Sequence, residues 1–297
     1  MTIDLELNNY SYEKFKIDKS ILHNIDGALF PFDKNLKSIA VNLSGGADSA
    51  LGTAILCTLI KKYNTNTKIT VITNIRGWQY RPWQAPIALD VYNKLNEMFP
   101  EIQFDRLVNF IPPELETSEI GEIKQLGSTG DKVITSSFNN YAKYTNNLEK
   151  VYAFVTNNPT DEEMPHNKKL LDRYWSKEKV DEYFEHSQHQ IGNACVQISG
   201  DHYHITPWIL LKKDFVMAQY IKNDWIDLLD TTRSCEGDVR LVDRKKDNWE
   251  YTFVDYKEYK HKVTRLTTCA ENIKDPNNGC YWCAERTWAW NKVKKDV

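Results

Sequence analysis

Short apolar runs alternate with stretches of helical periodicity in the first third of the chain. The runs 38–43 and 69–73 are short and apolar enough for buried strands. Between them, apolar residues recur every three or four positions as far as Lys61 and Lys62, which predicts a helix whose last turn carries two cations. A second helical face, which stops before Pro100, is formed by Ile87, Val91, Leu95 and Met98.

Two more strands and a later helix extend this pattern. Residues 102–110 alternate apolar and polar positions, and 151–155 form another short apolar run. Residues 213–221 have the periodicity of a helix. Because strands that alternate with helices are typical of α/β proteins, we predict a Rossmann-like, mainly parallel sheet with helices on both faces.

Composition narrows the class of protein. The chain has 297 residues, with 41 acidic and 38 basic side chains, so its formal net charge is −3. This near-balance makes a nucleic-acid partner unlikely, since dedicated nucleic-acid binders are usually basic. No apolar run approaches the roughly 18 residues of a membrane span, and the N-terminus lacks the pattern of a secretory signal. We therefore expect a cytoplasmic protein with small-molecule partners and no membrane association.

A glycine-rich loop, Ser44–Ser49, lies between the first strand and the first helix. Ligands of α/β sheets bind at the carboxyl ends of strands, and the N–H groups at a helix N-terminus suit phosphate. The two adjacent glycines allow close approach of the backbone. Asp48 is suited to hold Mg²⁺ that bridges phosphates. The alternative is a plain strand–turn–helix corner with a serine or aspartate N-cap.

Cysteines concentrate in the last quarter of the chain. Of the six, Cys57 lies on the apolar face of the first helix, where we expect it to be buried, and Cys195 has no evident partner. The remaining four predict a structural zinc site in a C-terminal zinc-knuckle region, with one Cys-x-x-Cys pair and two ligands assigned by elimination: Cys280, Cys283, Cys235 and Cys269. Two disulfides or four unrelated thiols are the alternatives, and the first is disfavoured in a cytosolic chain.

The order Ser-Gly-Gly-Ala-Asp-Ser in 44–49 resembles the PP-loop of the ATP-pyrophosphatase superfamily. Those enzymes adenylate a carbonyl or carboxylate and release pyrophosphate, and they include NAD synthetases and tRNA-thiolating enzymes. The resemblance implies catalytic roles for Asp48 and Ser49. It also implies that ATP is bound by Leu43, Ser44, Gly45, Gly46, Ala47, Asp48, Ser49 and Asn74.

Segments in the C-terminal third of the chain, the tail, narrow the resemblance to one family. Residues 232–237 and 279–286 are similar to the zinc region of 7-cyano-7-deazaguanine synthases, but Asn277 replaces one cysteine of that family and a long insertion follows Cys235. Residues 206–214 resemble a family segment that places a catalytic lysine at a helix start, here Lys213 with Lys212 as the alternative. The resemblance implies a ligase that joins ammonia to a 7-deazaguanine carboxylate. Its product would be a nitrile that is used in queuosine biosynthesis.

Several expectations complete this interpretation. Substrate contacts are predicted for the turn-rich stretch after the second strand and for one tail residue, namely Arg76, Trp78, Arg81, Trp83 and Arg286. We divide the chain into an N-terminal extension (1–35), an ATP-binding domain (36–225) and a zinc-binding region (226–297) with a charged insertion at 236–262. The alternatives are an amide ligase for another acid, a tRNA-thiolating enzyme, and a non-catalytic zinc module. The oligomeric state stays open, a homodimer included.

Overall fold

The chain is described by a computed structural model, and the helices and strands below lie within its described residues. These residues are 21–75, 84–110, 150–160, 162–164, 188–191, 194–199, 202–234 and 281–294. The strands are β1 (Leu22–Ile25), β2 (Ala28–Pro31), β3 (Ser38–Asn42), β4 (Lys68–Ile75), β5 (Phe104–Phe110), β6 (Lys150–Tyr152), β7 (Gln188–Ile191), β8 (Ala194–Ser199) and β9 (His202–Thr206). The helices are α1 (Ala47–Tyr63), α2 (Gln84–Met98), α3 (Lys213–Lys222), α4 (Ile226–Thr231) and α5 (Tyr281–Lys294).

One seven-stranded sheet organises the described residues, with the strand order β5-β4-β3-β6-β9-β8-β7. The first five strands in this order are parallel, and β8 and β7 continue the sheet in antiparallel pairing. The parallel part has the strand order of a doubly wound Rossmann-type sheet: β4 and β5 are added on one side of β3, and β6 and β9 on the other. The predicted α/β fold with a mainly parallel sheet is therefore confirmed.

The two faces of the parallel strands are buried in separate clusters. Ile39 and Val41 of β3 pack in the main core together with side chains from each of the helices α1 to α5. On the opposite face Ala40 packs with Ile72 and Val151, and each of these three side chains is almost fully buried. The sheet is thus covered on both sides, as expected for strands that read as short apolar runs.

The predicted elements agree with the structure to within a few residues. Apolar periodicity located β3, β4, β5, α1, α2 and α3, while the predicted strand at 151–155 is shorter and ends at Tyr152. The elements that were not predicted are the β1–β2 hairpin, whose turn uses Asp26 and Gly27 at positive φ, the strands β7, β8 and β9, and the helices α4 and α5.

The C-terminal helices α4 and α5 pack on the same side of the sheet as α1. Leu228 and Leu229 of α4 and Cys283, Ala289 and Trp290 of α5 belong to the same core cluster as α1. The division of the chain at 225/226 stays a prediction, but the described residues on its two sides share one core. None of the helices in the described ranges has the length and apolar character that crossing a membrane requires.

Candidate functional site

Gly45 occupies the sharpest point of the loop after β3. Its φ is +79°, in the left-handed region that residues with a Cβ rarely adopt. A Cβ there would stand 2.8 Å from Cγ2 of Ile87 and 3.0 Å from the backbone N of Ala88. Both the turn and the close approach of α2 therefore require glycine at this position.

The two serines of the loop hold its backbone in shape. The Ser49 hydroxyl donates to the Gly46 carbonyl over 3.1 Å and accepts the Ser44 N–H over 3.3 Å. The Ser44 hydroxyl in turn accepts the Gly46 N–H over 3.3 Å. Because Ser49 is only 3% exposed, these contacts give it a structural role, and its catalytic role stays a prediction.

Residues outside the loop donate hydrogen bonds to its backbone carbonyls. The Tyr220 hydroxyl donates to the Ala47 carbonyl over 2.7 Å, and the Arg233 N–H donates to the Gly45 carbonyl over 2.9 Å. Burial raises the pKa of Tyr220 well above its ordinary value, so the phenol keeps the proton it donates. Leu43 is tied to β4, because its N–H donates to the Ile72 carbonyl over 2.8 Å. These hydrogen bonds fix the conformation of the loop backbone.

The N-terminus of α1 is the part of the loop suited to a ligand. Gly46 is the N-cap residue, and no side chain caps the helix. The first turn of a helix has N–H groups without intrahelical partners and the positive end of the helix dipole. Asn74 lies two residues beyond Ile72 on the neighbouring strand, at the same edge of the sheet. This arrangement can bind the phosphates of a nucleotide.

Asp48 and Lys213 meet beside the loop. Lys213 is the first residue of α3, and its ammonium donates to Oδ2 of Asp48. On its other side it lies 3.8 Å from Oε2 of Glu285 on α5. The Thr156 hydroxyl donates to the same Asp48 oxygen over 3.5 Å. The structure thus brings together Asp48 and Lys213, two side chains far apart in the sequence to which the resemblance assigned catalytic roles.

The second carboxylate oxygen of Asp48 fits a metal ligand. Oδ1 is buried and has no hydrogen-bond partner among the described residues. A buried carboxylate oxygen left without a partner is costly, and an oxygen-preferring cation such as Mg²⁺ would satisfy it. Asp48 therefore offers one oxygen ligand of the type that Mg²⁺ prefers.

Sequence reasoning missed a set of buried polar residues near this edge. Thr156, Asn157 and Asn158 follow β6, and each is at most 5% exposed. Glu163 accepts a hydrogen bond from Lys212 over 2.7 Å, so Lys212 is engaged away from Asp48. The signal available in the sequence was the polar run 156–158 directly after a predicted strand, which is where ligand crevices form.

Arg286 serves the fold in the described structure. Its guanidinium donates to the carbonyls of Leu229 and Thr232, 3.0 Å and 3.2 Å away, and to the Thr232 hydroxyl. These carbonyls lie at the end of α4, where backbone acceptors lack intrahelical partners. Burial lowers the pKa of Arg286 to about 10. Its predicted contact with substrate stays untested, and these hydrogen bonds favour a structural role.

The predicted zinc site falls mostly outside the described residues. Cys283 is 5% exposed in the first turn of α5, and within the described ranges no three histidine, cysteine or acidic side chains form a metal-binding group. Cys57 is fully buried, as expected, and burial raises its pKa. The other predicted ligands and substrate residues lie outside the described part of the chain, namely Cys235, Cys269, Cys280, Arg76, Trp78, Arg81 and Trp83.

Comparison with solved structures shows a distant likeness. No protein-family model matches the chain, and no curated protein matches it. Among solved structures, the chain is similar to the U34-tRNA thiolase NcsA from Methanococcus maripaludis with its [4Fe-4S] cluster. The two share 13% identity, with 89% of this chain and 74% of that chain covered, at a TM-score of 0.36. A likeness this distant assigns neither an activity nor a cofactor to the present chain.

Proposed function

We propose that the chain is an ATP-using enzyme that binds the nucleotide on the Ser44–Ser49 loop and adenylates its substrate. Two observations together carry this proposal. The N-terminus of α1 has no side-chain cap, and Oδ1 of Asp48 is buried without a hydrogen-bond partner among the described residues. The first offers donors to phosphate, and the second offers a ligand to the Mg²⁺ that accompanies ATP. A plain strand–turn–helix corner would need neither feature.

The residues of the site have separable roles in this reaction. N–H groups in the first turn of α1 bind phosphate oxygens, and Asp48 would hold Mg²⁺, which supplies neutralisation of phosphate charge. Lys213 orients Asp48 and brings a positive charge to the developing pyrophosphate. A substrate oxygen attacks the α-phosphorus, the bond from that phosphorus to the bridging oxygen breaks, and pyrophosphate leaves. Catalysis rests mainly on positioning and charge neutralisation.

For the substrate, we propose the carboxylate of a 7-deazaguanine. The support is the resemblance of the tail, Cys280 to Arg286 above all, to 7-cyano-7-deazaguanine synthases. Ammonia would displace AMP from the acyl-adenylate to give an amide. A second adenylation, on the amide oxygen, would then release the nitrile with loss of AMP. Zinc on the four tail cysteines would be structural and take no part in either step.

The test is product analysis by mass spectrometry. The protein is incubated with ATP, Mg²⁺, ammonia and 7-carboxy-7-deazaguanine. The proposal predicts a nitrile product with AMP and pyrophosphate. An amide alone would indicate a ligase that stops after the first activation. ATP turnover without change in the deazaguanine would contradict this substrate, and no ATP turnover with any acid would favour a non-catalytic module.

A tRNA-thiolating enzyme is the second candidate. Cys195 of β8 is in register with Thr206, the last residue of β9, and therefore lies at the carboxyl edge of the parallel sheet. A cysteine at the ligand edge is what a sulfur carrier requires, whereas the net charge of −3 offers little attraction to RNA. This candidate predicts that the protein retards tRNA in a gel. It also predicts that the wild type incorporates sulfur into tRNA and that Cys195→Ser does not.

A further inference from the structure

The chain that follows α4 runs alongside the glycine-rich loop. The Arg233 N–H donates to the Gly45 carbonyl over 2.9 Å. The Arg233 carbonyl oxygen lies 3.8 Å from the point that a Cβ on Gly46 would occupy. Ser234 follows this carbonyl directly, so its backbone lies beside Gly46, the N-cap residue of α1.

The hydroxyl of Ser234 is buried and makes no hydrogen bond in the described structure. Ser234 is 9% exposed, and its Oγ has no hydrogen-bond partner among the described residues. A buried hydroxyl without a partner costs free energy, because it has given up its hydrogen bonds to water. Since serine has the shortest side chain that carries a hydroxyl, this Oγ stays close to the backbone beside Gly46.

Other hydroxyl groups near the loop are already engaged. The Ser44 hydroxyl accepts the Gly46 N–H, and the Ser49 hydroxyl donates to the Gly46 carbonyl. The Thr232 hydroxyl donates to a carbonyl of α4 over 2.7 Å. Of these four hydroxyl groups, that of Ser234 alone lacks a partner in the described part of the chain. It lies next to a helix end that has no side-chain cap.

We propose that the Ser234 hydroxyl donates a hydrogen bond to a phosphate group of the nucleotide bound at the N-terminus of α1. This inference rests on the proposed function, since it concerns the phosphates of ATP. Phosphate bound at a helix N-terminus lies against the N–H groups of the first turn, which places it beside Gly46 and Ser234. A hydroxyl that donates to a charged oxygen forms a stronger hydrogen bond than one that donates to a neutral oxygen.

A hydroxyl with this role affects stability and binding differently. In the nucleotide-free protein, replacing Ser234 by alanine removes a buried group that has no partner, so the free energy of unfolding should not fall. In the complex, the same change removes a hydrogen bond to phosphate, so the affinity should fall. A hydroxyl that served the fold alone would lower the stability and leave the affinity unchanged.

The experiment measures both quantities on the full-length protein. Binding of α,β-methylene-ATP with Mg²⁺ is measured by calorimetric titration, because this analogue cannot release pyrophosphate. Urea unfolding is measured without nucleotide. Ser234→Ala should bind the analogue about tenfold more weakly than the wild type, and its urea midpoint should equal or exceed that of the wild type. An unchanged affinity, a lower urea midpoint or a failure to fold would overturn the inference.

Thr231, the last residue of α4, supplies a matched control. Its hydroxyl is engaged within the protein, because it donates to the Leu228 carbonyl over 2.8 Å. Thr231→Val removes this hydroxyl with little change in volume and should leave the affinity for the analogue within about twofold of the wild type. If Thr231→Val weakens binding as much as Ser234→Ala does, a general disturbance of the chain after α4 explains both, and the inference is wrong.

The outcomes for the wild type separate the two proposals. If the wild type fails to bind the analogue in the presence of Mg²⁺, the proposed function fails and the inference fails with it. If the wild type binds the analogue and Ser234→Ala binds it equally well, the inference alone fails.

Discussion

Gly45 and Gly27 adopt similar backbone conformations but face different surroundings. Their φ values are +79° and +86°, both in the region that disfavours a Cβ. A Cβ on Gly45 would press on Ile87 and Ala88, whereas a Cβ on Gly27 would meet no atom within 4 Å. The pair therefore separates the cost of the backbone conformation from the cost of the close approach at the loop.

Substitution of these two glycines by alanine gives a residue-scale prediction. Gly27→Ala should lower the free energy of unfolding by about 1–2 kcal/mol, the cost of a left-handed residue with a Cβ. Gly45→Ala should cost about 2–4 kcal/mol, because overpacking against α2 adds to that term. It should also abolish ATP binding, which Gly27→Ala should retain. Urea unfolding and calorimetric titration with ATP measure the two effects. Equal costs at the two positions would contradict the described loop geometry.

At the scale of elements, a buried arginine of α5 is hydrogen-bonded to the end of α4. Arg286 of α5 donates to carbonyls of Leu229 and Thr232, and Thr232 directly precedes Arg233, which donates to the loop at Gly45. The end of α4 therefore lies between α5 and the loop at Gly45. Loss of this contact should affect the stability of the fold before it affects nucleotide chemistry.

Arg286→Met tests this structural role. Removal of the guanidinium leaves buried carbonyl groups without donors, so the free energy of unfolding should fall by about 2–4 kcal/mol. Asn291→Ala, an exposed position on the same helix, should change it by less than about 0.5 kcal/mol. Urea unfolding supplies the measurement. A stable Arg286→Met protein that has lost only substrate binding would instead support the contact with substrate predicted from the sequence.

Periodicity in the sequence was sufficient for the elements that bury whole faces. Strands that are buried on both faces appear in the sequence as continuous apolar runs, as β3 and β4 do. The apolar spacing after Ser49 likewise indicates a helix. The β1–β2 hairpin was missed because strands of four residues are too short to establish a period. The helix α5 was not predicted, because the Cys-x-x-Cys spacing favoured a zinc-knuckle turn over a helix.

The site was predicted in part for a related reason. A contiguous loop such as Ser44–Ser49 carries its own pattern, so the residues of the turn were identified directly. Glu285 and Thr156 have no such local pattern, since packing of α5 and of the chain after β6 brings Glu285 near Lys213 and Thr156 to Asp48. Lys213 was assigned by resemblance, and its contact with Asp48 became visible only in the folded chain.

At the scale of the whole molecule, the C-terminal helix α5 packs in the same core as the helix that follows the Ser44–Ser49 loop. Trp290 of α5 is buried in the main core, and Trp282 packs with Met164, which lies in the chain that follows β6. Any feature that orders the residues before α5 should therefore stabilise the sheet edge as well. The predicted zinc site on the tail cysteines is such a feature.

Zinc content gives the corresponding prediction. The purified protein should contain about one zinc ion per chain, as expected for a four-cysteine structural site, and Cys280→Ser should lose it with a lower melting temperature. Cys57→Ala is the control, because Cys57 is buried within α1 and should leave the zinc content unchanged. Metal analysis by mass spectrometry and thermal unfolding measure both. Full zinc content in Cys280→Ser would show that the assigned ligand set is wrong.

Asp48 and its loop are proposed to support ATP-dependent adenylation. The most direct measurement is the rate of pyrophosphate release from ATP with 7-carboxy-7-deazaguanine and ammonia, compared between the wild type and Asp48→Asn. We predict release by the wild type and a loss of at least about 100-fold in Asp48→Asn, with an unchanged circular dichroism spectrum. Equal rates of pyrophosphate release in the two proteins would contradict the claim.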